Sequence, residues 1–127
     1  MESYNLVDDF AFHEMLHAMG FGTAWSGMGL VETVNGSLRF TGESATLAYN
    51  NEYSQIASGD ALSGFGVPVE MEGGSGTAGV HWDDDTFGSE MMTGQLNGVN
   101  SVSDMTIAAL EDMGYETIFD PDMYGYA

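Results

Sequence analysis

Two imidazoles four residues apart, with a carboxylate directly after the first, constrain this chain more than any other feature: His13-Glu14-Met15-Leu16-His17. Positions i and i+4 share a helical face, so both rings can converge on one ion only if this segment is a helix. The periodicity agrees and predicts a helix over residues 5–19, with Leu6, Phe10, His13 and His17 on one stripe. Asp8 and Asp9 fall in its first turns, where the dipole favours anions, and Gly20 follows as a left-handed stop. Neutral imidazole suits zinc, and three protein ligands leave a position for water. Glu14 is then placed as general base and acid, taking a proton from that water and returning it to a leaving amine. A chance HExxH is the competing reading. Against it stand the helical setting, the position of Gly20, and the apolar flank of Phe10, Phe12, Leu16 and Met19, which is expected to wall the site from bulk water.

A third ligand must be found. The chain has no cysteine and three histidines, so zinc has only His, Asp and Glu to choose from. The compact pattern HExxHxxGxxH would place histidine at position 23, which is Thr23. His81 lies 64 residues after His17 and can serve if the intervening segment is an insertion that returns to the site. Glu52, on a predicted second helix, is the alternative, since a helical glutamate completes the site in gluzincins.

The rest of the chain reads as a mixture of short elements. Val31 to Val34 and Ser37 to Phe40 flank Asn35-Gly36, a pair suited to the two positive-φ positions of a tight hairpin turn. Residues 44–57 suggest a second helix anchored by Leu47, Tyr49, Tyr53 and Ile56. Residues 58–79 are glycine-rich loop with at most a short strand near Val67 and Val69. Ser103 is positioned to cap a third helix through Met113, with Ile107 and Leu110 inward and Gly114 ending it.

One basic residue, Arg39, stands against twenty Asp and Glu, a formal charge of −19. Such a field repels nucleic acid and anionic membranes and favours cations. Calcium is therefore a second candidate ion, although no loop carries the ligand spacing of an EF-hand. No apolar run is long enough for a membrane span. Nothing in the composition fixes an oligomeric state.

The run from His13 to Gly22 resembles the zinc helix of the leishmanolysin-like peptidases, metzincins with a long insertion before the third histidine. Gly73 to Trp82 is similar to the family's third-ligand segment, and Phe87 to Gly94 to its Met-turn, the hydrophobic floor beneath the metal. Ser103 to Ile107 and Leu110 to Tyr115 resemble the helix and turn that follow. The resemblance implies an α+β metzincin-like core: zinc helix, hairpin and helix insertion, Met-turn, C-terminal helix. It implies His13, His17 and His81 as zinc ligands, Glu14 as the catalytic carboxylate and Met92, rather than Met91, as the Met-turn residue. Thr93, Gly94 and Gln95 become candidates for the wall of the substrate pocket. A protein or peptide substrate and a secreted or cell-surface location follow from the family alone.

Only 12 residues precede His13, where family members carry sheet that holds the extended substrate. The expectation is thus one domain over residues 1–127 without the family's N-terminal portion. Two further readings stay open: a non-catalytic, zinc-stabilised acidic binding module, and an inactive fragment of a larger protease.

Overall fold

The computed structural model describes residues 6–74, 77–94 and 100–117. Its first element is the expected helix, α1 (Leu6–Ala18). A β-hairpin follows, β1 (Val31–Val34) and β2 (Ser37–Phe40), and then two helices, α2 (Glu43–Glu52) and α3 (Ser54–Ser58). A short strand β3 (Val67–Pro68), a single helical turn α4 (Asp84–Phe87) and helix α5 (Asp104–Asp112) complete the order. The mixture is compatible with the α+β class.

The hairpin forms where it was expected. Asn35 (φ 49°) and Gly36 (φ 82°) occupy the turn, and Val34 pairs with Ser37 across it. β3 adds antiparallel to β2, giving a three-stranded sheet in the order β1-β2-β3. Beyond it, Val69 bridges Trp82, and Trp82 bridges Thr93. These two bridges tie the segment carrying His81 to the sheet on one side and to the turn after Met92 on the other.

The predicted helix over residues 44–57 is two helices. The backbone at Tyr53 (φ −112°, ψ 43°) leaves helical geometry, so α2 ends at Glu52 and α3 starts afresh. The break lets Tyr53 pack its ring edge-on to Phe87 while Ile56 turns outward, 41% exposed rather than an anchor. Helices α2 and α5 lie antiparallel and cap each other. Asp112, at the end of α5, accepts from the Ser44 and Ala45 N–H groups at the start of α2. Glu52, at the end of α2, accepts from the Asp104 and Met105 N–H groups at the start of α5. Each carboxylate thus satisfies orphan amides at the positive end of the other helix's dipole. Ser103 caps α5 as expected, accepting from the Thr106 N–H.

The core is centred on four aromatic residues with no exposed surface, Phe21, Trp25, Phe40 and Trp82. Trp25 is the hub, with ring centroids 4.8 Å from Phe21, 4.7 Å from Phe40 and 5.0 Å from Trp82. Truncating one such buried ring costs about 3–5 kcal/mol. The cluster also sets position, because Phe21 follows the histidine helix and Trp82 follows His81.

A candidate metal centre

Helix α1 presents its histidines from a different orientation than the simple stripe implied. Leu16 and Asp9 are buried with His13, while Phe10 is 57% exposed and Met15 49% exposed. Phe10 therefore does not wall off the site but stands at the rim of the cleft. The buried Asp9 carboxylate is answered by Asn100, whose amide donates to it at 2.7 Å. That pairing spans 91 residues and leaves no local signal in the sequence.

Past α1, Gly20 (φ 103°) turns the chain, and Gly22 (φ 80°) brings it against the backbone of Val80. A Cβ at position 22 would lie 2.0 Å from the Val80 carbonyl oxygen, so only glycine permits this approach. The contact seats the segment before His81 beside the end of the histidine helix.

The result is a triangle of imidazole nitrogens. Nε2 of His17 lies 3.0 Å from Nε2 of His81 and 3.1 Å from Nε2 of His13, and the His13–His81 edge is 3.2 Å. Each ring uses its other nitrogen to donate to a backbone carbonyl: His13 Nδ1 to Met91 at 2.8 Å, His17 Nδ1 to Phe21 at 2.7 Å, His81 Nδ1 to Thr77 at 3.0 Å. Those bonds fix the protons on Nδ1 and leave a lone pair on every Nε2. Three lone pairs facing one another cannot hydrogen-bond and repel unless a cation lies among them. Ligand nitrogens about 2.0–2.1 Å from a tetrahedral zinc ion are about 3.3 Å apart, close to the observed edges. The carbonyl partners are the outer contacts such ligands need to hold tautomer and ring orientation. The residues present therefore fit a metal ion. Burial holds the His17 and His81 pKa values below the ordinary histidine value, against the opposing pull of their carbonyl bonds, which favours the neutral form of both rings.

Among the described residues, these three form the one His, Asp and Glu group close enough to share an ion. Calcium finds no support there. Glu52 is not a ligand, since both of its carboxylate oxygens are engaged at the start of α5. The gluzincin alternative is corrected by that engagement.

The triangle opens on a cleft of about 490 Å³ lined by the three histidines with Phe10, Glu14, Thr23, Thr77, Val80 and Gly94. Glu14 is exposed on this cleft, one residue after His13. Thr23 stands at its edge and donates to the His17 carbonyl at 3.2 Å. Of the three residues expected in the pocket wall, Gly94 lines the cleft. Thr93 is instead buried, its hydroxyl donating to the Glu90 carbonyl at 3.1 Å, and Gln95 lies outside the described residues. Met92 is fully buried, and Met91 supplies the carbonyl that holds His13. A second cavity, about 460 Å³, is bordered by Arg39, but that guanidinium is already paired with Asp60.

A helical HExxH joined by a distant third histidine, all three rings held by carbonyls, defines a candidate metalloprotein centre of the hydrolase kind. The comparison with known proteins agrees. The leishmanolysin family model matches residues 2–120, and the chain belongs to that family, a family of metalloendopeptidases. It is 32% identical over 108 residues to a leishmanolysin homolog from Crithidia fasciculata, covering 81% of this chain. The chain spans 16% of that relative's length. No solved structure gives a significant match.

Proposed function

We propose that this chain is the metal-binding core of a zinc-dependent endopeptidase, in which His13, His17 and His81 hold the ion and Glu14 moves the proton. The observation that carries the reading is the triangle of Nε2 atoms, each with its tautomer set by a carbonyl. Family membership supplies the reaction class, the zinc and the peptide substrate, and an extracellular or cell-surface setting at family level. Bound there, zinc supplies Lewis acidity to a water and to the scissile carbonyl.

The chain's own residues do the rest. The three imidazoles are already oriented toward one point by their carbonyl bonds, so little needs to reorganise when the ion enters. The Glu14 carboxylate takes the proton of the attacking water at one oxygen and delivers it to the amine of the departing peptide. Phe10 and Val80 offer apolar surface to side chains flanking the cleaved bond, and Gly94 leaves room for the peptide backbone. Met92 is assigned as the Met-turn residue beneath the site.

Glu14→Gln tests the assignment. The variant should bind zinc as tightly as the parent and lose hydrolysis of an unfolded protein by more than about 100-fold. Retained hydrolysis would remove Glu14 from the mechanism. The exposed Glu14, which takes no hydrogen bond from the described residues, favours the catalytic reading over a purely structural zinc module.

A further inference from the structure

Glu90 shares with Asp9 the lowest exposure of any carboxylate among the described residues, 2%, and lies one residue before the carbonyl that holds His13. Its Oε1 accepts the N–H of Met92. Its Oε2 accepts the N–H of Ser103 at 3.0 Å, the Ser103 hydroxyl at 2.7 Å, and the Thr106 hydroxyl. Both hydroxyls have protons to give, because each already accepts an N–H. Thr106 Oγ1 takes the Trp82 indole N–H at 2.9 Å, and Ser103 Oγ takes the Thr106 N–H at 3.2 Å. Four donors meet one carboxylate and offset part of the cost of burying its charge, while burial, the larger effect, still raises its pKa.

The Met92 N–H and the Met91 C=O belong to the same peptide unit. That unit is therefore hydrogen-bonded at both ends, to the Glu90 carboxylate through its N–H and to the His13 Nδ1–H through its oxygen. A negative charge at the N–H end polarises the amide and makes its oxygen a stronger acceptor. Metal-binding histidines commonly face a carboxylate directly, which raises the donor strength of the other nitrogen. Here a peptide group is interposed. The peptide whose carbonyl holds His81 has its N–H, that of Ala78, on the Gly74 carbonyl rather than on a carboxylate, and among the described residues no carboxylate accepts the Gly22 N–H behind the carbonyl that holds His17.

We propose that Glu90 is a positioning residue for the metal site, acting on His13 through the Met91–Met92 peptide as a carboxylate–peptide–histidine relay. The proposal rests on the three-histidine zinc reading and adds to it an unequal histidine set, with His13 the strongest donor. Glu90→Gln keeps the shape but not the polarity. Whichever way the amide is turned, its NH2 faces a backbone N–H, either of Met92 or of Ser103.

The test is the Hδ1 proton resonance of each histidine in the zinc-loaded, 15N-labelled chain, together with cobalt affinity and the cobalt d–d spectrum. In Glu90→Gln the His13 resonance should move upfield while those of His17 and His81 stay, and cobalt affinity should fall about 10-fold. Ser103→Ala removes a donor from Oε2 and leaves Oε1 untouched, so the state of the carboxylate changes and the His13 resonance should shift while those of His17 and His81 stay. This second variant decides the matter if Glu90→Gln does not fold. Equal movement of all three resonances, or none in His13, overturns the relay. A parent chain that takes up neither zinc nor cobalt overturns the metal reading, and the relay with it. A parent that binds normally while His13 is unmoved overturns the relay alone.

Discussion

His17 and His81 are separated by 64 residues in sequence, yet their Nε2 atoms lie 3.0 Å apart. The contact is built by the chain between them. The hairpin, α2, α3 and β3 form an excursion whose ends are brought together by Gly22 against Val80 and by Trp82 in the aromatic core.

That separation gives the clearest ligand test. His81→Ala should eliminate stoichiometric zinc binding, whereas Glu52→Ala should leave it intact and destabilise the fold through the start of α5. Titration of both variants with zinc against a competing chromogenic chelator distinguishes them. Zinc bound tightly by His81→Ala would point to another third ligand.

Gly22→Ala probes the turn rather than a ligand. The added Cβ meets the Val80 carbonyl at 2.0 Å, and the positive φ adds strain, so Val80 and its neighbour His81 must retreat. Zinc affinity should fall at least about 10-fold, comparable to loss of an outer contact. An unchanged affinity in the same titration would show that the close approach does not set the site.

The centre was legible in the sequence only in part. The histidine helix, its stop at Gly20, the hairpin at Asn35-Gly36 and the Ser103 cap were readable because each is a local signal with its own stereochemistry. His81 was a candidate as the one histidine left, and was singled out only through resemblance, since a ligand brought in by tertiary packing leaves no spacing rule. The exposure of Phe10 and the break at Tyr53 were misread for a related reason. A helical stripe cannot distinguish a face turned to the core from one turned to a cleft, and Tyr53 leaves the helix to meet Phe87, far along the chain. The carbonyls of Met91, Phe21 and Thr77 were invisible, because any residue supplies one.

The reciprocal caps predict a stability effect separate from the site. Asp112→Asn replaces a charged acceptor of two amides with an amide that accepts less well. It should cost about 1–2 kcal/mol in urea unfolding of the zinc-loaded chain, with zinc affinity unchanged. A parallel loss of zinc affinity would mean that the α2–α5 pair and the metal centre are one cooperative device.

Acid should act in opposite directions on the two parts of the molecule. Burial holds the His17 and His81 pKa values down, so the unfolded chain takes up those protons first as pH falls below about 6.5. Their contribution to stability is complete above that pH and is lost as pH falls through the folded values. Protons also compete directly with the ion for Nε2. Burial raises the pKa values of Glu52, Glu90 and Asp112, so these groups bind protons first in the folded state and gain stability as pH falls. The rise in Tm on adding zinc should therefore shrink from about pH 7 to about pH 5, while the chelated chain changes less. Thermal unfolding of loaded and chelated samples measures the difference. A zinc increment independent of pH would speak against three imidazole ligands.

The most direct test of the central claim is cleavage of an unfolded protein by the purified, zinc-loaded chain, with and without a zinc chelator and beside Glu14→Gln. The account predicts fragments from the parent, none after chelation, recovery when zinc is restored, and none from zinc-loaded Glu14→Gln. A fully zinc-loaded parent that leaves the substrate intact, or cleavage indifferent to both chelator and substitution, would contradict it.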